Sequence, residues 1–257
     1  MIKVKAVEKR YGSFQALKPI DLHVRKGEVF GFLGPNGAGK TTLIRMLAGV
    51  MPPTTGTVEI GGFSMANDAI AAKRIVGYIP DRPYLYEKLT AREMLRFIGG
   101  IYGVTSEDID VRGEELLTEF GLSQVGDQLV EGFSHGMKQR LTFCAALLHR
   151  PQLVIVDEPM VGLDPQGARL AKDLFRKIAD EGNTVFLSTH SLDVAQEVCD
   201  RLVIINKGAI VAMGSYKDIR SSAHPEATDL EDVFMRLMSE ESDVSQATEK
   251  NDGGAEK

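Results

Sequence analysis

Gly34-Pro35-Asn36-Gly37-Ala38-Gly39-Lys40-Thr41-Thr42 decides the reading of this chain. It fits G-x-x-x-x-G-K-[ST], the phosphate-binding P-loop. The flanks agree. Val29-Phe30-Gly31-Phe32-Leu33 is a short apolar run, as a buried strand would be. Leu43-Ile44-Arg45-Met46-Leu47-Ala48 has helical composition and stops at Gly49, a C-cap residue. Gly34, Gly37 and Gly39 let the backbone curl until successive N–H groups point into one hollow. The helix that follows adds the positive end of its dipole. Lys40 brings a mobile cation to the β- and γ-phosphates of a nucleotide, and the Thr41 hydroxyl can ligate Mg²⁺. Pro35, Asn36, Ala38 and Thr42 complete the loop around the nucleotide. The competing reading, a glycine-rich turn with a chance lysine, leaves the strand and the helix unexplained.

Composition bounds the rest. Of 257 residues, 43% are hydrophobic and 26% charged, enough to bury a sizeable core in one or two domains. The apolar runs fall far short of the ~20 residues that cross a bilayer. Met1-Ile2-Lys3-Val4-Lys5 alternates like a strand and has no signal-peptide core, so a soluble, non-secreted protein is expected. Cys144 and Cys199 sit in helix-like apolar contexts and are expected to be buried thiols, with no disulfide framework or metal set. The segment 239–257 holds six acids and two lysines, −4 of the net −6, and reads as a disordered acidic tail. The nearly neutral body gives no reason to expect a nucleic-acid partner.

Along the chain, residues 2–8 and 20–24 alternate as half-exposed strands. Thr57–Ile60 and Ile75–Ile79 read as further strands. From Thr90 to about Arg150 the texture is helical. Thr90 and Glu93 form a capping box, Glu114–Phe120 is a second helix, and Ser134 opens a third. Strands return at Leu153–Val156, Thr184–Ser188, Leu202–Ile205 and Ala209–Ala212, with helices at about 165–179 and 192–199. Continuous apolar strands alternating with helices predict a parallel α/β sheet.

Leu153-Val154-Ile155-Val156 ends in Asp157-Glu158. At the C-terminal end of a parallel strand, side chains face the crevice where ligands bind. Asp157 is then suited to hold Mg²⁺ through its hydration shell. Glu158 is a candidate general base for water attacking the γ-phosphate. The alternative is a pair of exposed acids capping the next turn.

With these residues in hand, the chain resembles the nucleotide-binding subunit of an ABC transporter from about Ile2 to Ile219, and again at Asp229-Leu230-Glu231-Asp232-Val233-Phe234. The most specific element is Phe133-Ser134-His135-Gly136-Met137-Lys138-Gln139-Arg140-Leu141, which is similar to the family signature Leu-Ser-Gly-Gly-Gln. Read from the residues alone, Ser134 is an N-cap, and Gly136 lets a phosphate approach a helix N-terminus. The resemblance implies that Ser134 and Gly136 contact ATP. It also implies that Tyr11 stacks on adenine, that Gly162-Leu163-Asp164-Pro165 crosses a dimer interface, and that His190 touches the γ-phosphate. His135 and Met137 depart from the usual signature, Val161 stands where serine is common, and Asp81 stands where most members carry a glutamine. Asp81 becomes a candidate metal ligand beside Thr41 and Asp157.

The expected fold is therefore α/β: a P-loop NTPase (RecA-like) core, a small antiparallel β-subdomain and an α-helical subdomain. The ATPase domain is expected over 1–220, with the helical subdomain at about 86–150 and a C-terminal helical extension over 221–238. The resemblance implies ATP and Mg²⁺ as cofactors, with Lys40, Glu158 and His190 in the catalytic set. It implies a second ATP-binding subunit, head to tail, and a separate membrane-spanning permease that docks near 81–93. The location implied is cytoplasmic, peripheral on the inner face of the membrane. The Ser-x-Gly-Met-Lys-Gln-Arg signature and Leu230-Glu231-Asp232-Val233-Phe234 tilt the resemblance toward export. Two rivals remain: a non-transport ABC ATPase acting on nucleic acid or ribosomes, and a P-loop small-molecule kinase. The first is expected to carry coiled coils, tandem domains or basic arms; the second leaves the signature unexplained.

Overall fold

The computed structural model describes residues 1–223, 231, 232 and 234–236. The expected acidic tail at 239–257 lies outside the described residues. The chain opens with β1 (Ile2–Tyr11) and β2 (Phe14–Val24), an antiparallel hairpin closed at Gly12-Ser13. Next come β3 (Val29–Leu33), α1 (Lys40–Leu47), β4 (Thr55–Ile60), β5 (Phe63–Ser64), α2 (Ala69–Arg74) and β6 (Val76–Ile79). The helical stretch comprises α3 (Ala91–Tyr102), α4 (Ser106–Glu119) and α5 (His135–Leu147). Then follow β7 (Leu153–Asp157), α6 (Pro165–Asp180), β8 (Thr184–Thr189), α7 (Leu192–Val198), β9 (Arg201–Asn206), β10 (Ala209–Gly214) and α8 (Tyr216–Ala223).

Two sheets result. A six-stranded sheet has the order β10-β9-β3-β8-β7-β6, parallel throughout except for the β9–β10 hairpin. A four-stranded antiparallel sheet has the order β2-β1-β4-β5. Alternate residues of each central strand serve two layers, as the two-residue period requires. Leu153 and Ile155 of β7 join α1 and the antiparallel sheet, where Ile2, Val4, Leu22 and Phe186 also pack. Val154 and Val156 face the helices, with Phe143, Phe175 and Leu116. α1 is thus held between the sheets, so the loop that leads into it has a rigid mount on both sides. α5 is fixed to β6 at its far end: a Cβ on Gly77 would lie 2.4 Å from the Ala146 carbonyl oxygen. His149 Nε2 also reaches the Val76 carbonyl at 3.1 Å.

Several boundaries differ from the sequence reading. α4 begins at Ser106, eight residues before Glu114, with Thr105 as its N-cap accepting from the Asp108 N–H. Glu107 and Asp108 in its first turn complement the helix dipole, which offsets the poor helix propensity of that acidic stretch. α2 and β5 have no counterpart in the reading; both are short, and neither carries a full hydrophobic period. β4 starts at Thr55, two residues before the strand expected at Thr57–Ile60. β1 runs on to Tyr11, past register shifts around Ala6, whose φ is +46°. α8 starts at Tyr216 and so crosses the expected boundary at 220; residues 231, 232 and 234–236 are also helical. Cys144 is buried, whereas Cys199 is only half-buried, and both thiols are free. The Thr90–Glu93 capping box is present.

Candidate functional site

The sheet order assembles the site. β3 ends beside Thr189 (Leu33↔Thr189), Asp157 lies opposite Ser188, and Ile79 lies opposite Val156. The loops after β3, β6, β7 and β8 therefore emerge side by side at the C-terminal edge, where parallel sheets bind ligands.

The glycine loop has the conformation its spacing predicts. Gly37 and Gly39 have φ of +80° and +108°, accessible to glycine at no steric cost. A Cβ on Gly34 would lie 2.4 Å from the Ile205 carbonyl oxygen, so backbone packing also fixes glycine there. α1 starts with no capping side chain and no acid in its first turn, which leaves its N–H groups and positive dipole end open to an anion. Lys40 is 6% exposed, and its Nζ donates to the carbonyls of Gly34 (2.7 Å) and Pro35 (3.3 Å). The same ammonium lies 3.3 Å from Glu158 Oε1.

Asp157 is fully buried. The Ser188 hydroxyl donates to its Oδ1, and Oδ2 has no partner among the described residues. Burial pushes this carboxyl above its ordinary range; the Ser188 and Thr41 hydroxyls pull it back, while Asp81 and Glu158 push it further up. A buried carboxylate with one bare oxygen, next to a threonine hydroxyl at the phosphate loop, suits a hydrated Mg²⁺. Among the described residues no cluster of three metal-ligating side chains converges. Mg²⁺ held together with substrate phosphates does not need one.

Glu158 has φ of +51°, a left-handed conformation uncommon for a side-chain-bearing residue. Its N–H bonds to the Ser188 carbonyl (3.2 Å), which over-determines the strained turn. The turn brings Glu158 Oε2 to 2.9 Å from His190 Nδ1. A carboxylate held between an ammonium and an imidazole can accept a proton from water.

A cavity of ≈ 460 Å³ runs along the loop. Pro35, Asn36, Gly37, Gly39, Lys40, Thr41 and Thr42 line it, together with Tyr11, Asp81 and Glu158. Gly34 and Ala38 lie behind its wall: Ala38 is 3% exposed. Tyr11 is 48% exposed and lies under Lys9 Nζ, 5.4 Å from its ring centroid; its hydroxyl reaches Met51 Sδ at 3.2 Å. An adjoining cavity of ≈ 560 Å³ shares Asn36, Asp81 and Glu158 and adds His190, His135 and Lys138. Ser134 and Gly136 line neither cavity. Ser134 caps α5 from the exposed side, its Oγ accepting from the Met137 N–H at 3.3 Å. The chain thus gathers the phosphate loop, both acids, Asp81 and His190 at one place, with the signature pair outside it. Sequence reading missed Phe14, a second cavity-lining aromatic, and Ser188, which serves both acids.

These features define a P-loop nucleotide hydrolase. The family described as ABC transporter matches residues 17–161, and the chain belongs to it. It is 38% identical over 221 residues to the linearmycin resistance ATP-binding protein LnrL of Bacillus subtilis, covering 86% of this chain and 71% of that one. It is 35% identical over 229 residues to the daunorubicin resistance ATP-binding protein DrrA3 of Streptomyces coeruleorubidus, covering 89% and 72%. A solved ATP-binding subunit of an ABC transporter superimposes with a TM-score of 0.88 at 34% identity, over 93% of this chain and 99% of that one. A dimeric ATP-binding cassette in a post-hydrolysis state with ADP and phosphate superimposes at 0.77 and 26% identity, over 84% and 98%. The protein is an ATP-binding subunit of an ABC transporter and hydrolyses ATP; subunits of this family dimerise and work with membrane permeases. No helix among the described residues is long and apolar enough to cross a membrane.

Proposed function

We propose that this subunit drives export of a small molecule through a separate membrane-spanning permease, by closing and reopening a head-to-tail pair around ATP. The resistance proteins among its relatives support the direction. In this reading Tyr11 stacks on adenine. The loop 34–42 wraps the phosphates, and Lys40 leaves Glu158 for the β- and γ-phosphates. Ser134 and Gly136 reach the nucleotide of the partner subunit, which fits their position outside the cavity of their own chain. Thr41 and Asp157 would hold Mg²⁺, with Asp81 as a further ligand; the ion would neutralise phosphate charge during transfer. Glu158 takes the proton of the attacking water and His190 orients that carboxylate. We assign the chain through β10 to the ATPase domain, with α3, α4 and α5 as its helical subdomain, and start the C-terminal extension, expected over 221–238, at α8, which runs unbroken across 220. The location follows from the permease: peripheral, on the inner face of the membrane.

One observation carries this reading: Glu158, in a left-handed turn, bridges Lys40 at 3.3 Å and His190 at 2.9 Å at the edge of the phosphate cavity. Glu158→Gln tests it. Turnover should fall about 10²–10⁴-fold, the usual cost of losing a general base, with ATP binding retained. Wild-type turnover in the variant would move the base elsewhere. Phosphate transfer to a small-molecule acceptor in place of water would favour the kinase reading.

A further inference from the structure

Gln139 lies in α5 with no exposed surface, and neither its amide nitrogen nor its amide oxygen has a hydrogen-bond partner among the described residues. Since both atoms are unpaired, the observation stands whichever way the amide is turned. Buried amides are nearly always satisfied, so an orphaned one calls for a partner.

The partner is nearby. Long side chains on a helix lie back over the residues three and four positions before them. For Gln139 those are Gly136 and His135. Both touch the same residue of the loop after Glu158. A Cβ on Gly136 would lie 3.2 Å from the Gly162 carbonyl oxygen. The His135 ring covers Gly162, where a Cβ would meet Cδ2 and Nε2 at 2.2 and 2.3 Å. The Gly162 carbonyl itself accepts no backbone hydrogen bond among the described residues. An unpaired donor on α5 thus lies three residues, one helical turn, after the glycine that touches the Gly162 carbonyl. The loop is loosely tied: its internal bonds are Val161 N–H to the Glu158 carbonyl (3.2 Å) and Leu163 N–H to the Met160 carbonyl (3.3 Å). The first runs back to Glu158, so a shift at Gly162 is felt there.

We propose that Gln139 is a positioning residue for hydrolysis: its amide captures the Gly162 carbonyl when loop 159–164 moves along α5, and this sets Glu158. The trigger is electrostatic. Phosphates arriving at Lys40 compete with Glu158 for the same ammonium, and the released carboxylate takes its loop with it. The proposal rests on the reading of Glu158 as the base.

The test uses the full-length chain with ¹⁵N-labelled glutamine. Addition of Mg²⁺ and a non-hydrolysable ATP analogue should move the Gln139 side-chain NH₂ signal downfield and slow its exchange with water. Gln139→Leu should keep ATP affinity and lose about tenfold in turnover, the worth of one hydrogen bond in a loop that must be held. Its melting temperature should stay level or rise, because an unpaired buried amide is gone. A purely structural glutamine gives the opposite pattern, with stability lost and turnover following it. An NH₂ signal indifferent to nucleotide, as for an amide bonded to a permanently trapped water, would overturn the proposal even if Gln139→Leu fails to fold. So would a Gln139→Leu variant with wild-type turnover. If Glu158→Gln turns over normally while the Gln139 signal still shifts, the base assignment fails and the capture stands.

Discussion

Lys40→Ala removes the cation on which the site turns, and the structure sets the size of the effect. Nζ donates to the carbonyls of Gly34 and Pro35 and lies 3.3 Å from Glu158 Oε1, with the lysine and glutamate side chains 6% and 16% exposed. Two unit charges at that separation interact by about 5 kcal/mol at an effective dielectric of ~20, before desolvation is subtracted. A nucleotide offers this ammonium several phosphate charges in place of one carboxylate. The loss in binding should lie at about 2–5 kcal/mol, the range for a close, partly desolvated charge pair. That is roughly a 30- to 4,000-fold weaker Kd. The variant without nucleotide should also lose about 1–3 kcal/mol of stability, because Glu158 loses its counter-charge and the Gly34 carbonyl its donor. Equilibrium titration with a fluorescent ATP analogue measures the first effect, and denaturant unfolding the second. An affinity within twofold of wild type would refute the reasoning, since it would mean the phosphates never displace Glu158 from Lys40.

Asp81 lines both cavities and helps to raise the Asp157 carboxyl, so a shared Mg²⁺ should draw on both acids. Apparent ATP affinity should then depend on Mg²⁺ more steeply in wild type than in Asp81→Asn or Asp81→Gln, and superimposable titrations would remove Asp81 from the metal site. Burial raises Asp157 above its ordinary 3.8, so its ionisation opposes folding as pH climbs from 3.8 through the folded value. Without Mg²⁺, Asp157→Asn should gain melting temperature relative to wild type across that window, and parallel melting curves would contradict the assigned burial penalty. His149 is stacked on Tyr102 at 3.7 Å, and burial pushes its pKa down from 6.5 to about 4. The unfolded chain therefore takes up the proton first, and wild type should lose stability as pH falls from 6.5 to 4; His149→Phe should flatten that slope in thermal melts.

The phosphate loop and the Asp157-Glu158 pair were legible because their chemistry depends on local order: a buried strand, a turn, and residue types that must follow it directly. The helical stretch was legible in part. Thr90 and Glu93 announce α3 through a cap that needs only four consecutive residues, whereas the first two turns of α4 are acidic and polar and show no apolar period. Gly113 conceals that helix further, although its missing Cβ leaves only ordinary contact distance, 3.4 Å, to Leu95 Cδ1. Ser188 was invisible for a different reason. It reads as the end of an apolar strand, and only the parallel register of β7 and β8 sets it opposite Asp157. Gln139 sits in the polar run Lys138-Gln139-Arg140, which suggests a solvated helix face, yet it is fully buried. The left-handed turn at Glu158 has no sequence signal, since glutamate is not a residue that prefers it.

Sedimentation of the hydrolysis-slowed Glu158→Gln variant with ATP, alone and combined with Ser134→Glu, decides whether ATP is enclosed between Lys40 of one chain and Ser134 of another, as proposed. A carboxylate at the exposed α5 N-terminus would repel the partner's phosphates without touching the cavity of its own chain, which Ser134 does not line. Glu158→Gln should sediment as a dimer with ATP and as a monomer without it. Glu158→Gln/Ser134→Glu should remain a monomer while binding ATP as tightly as an isolated chain does. A double variant that still dimerises with ATP, or one that loses ATP binding as a monomer, would contradict the head-to-tail arrangement.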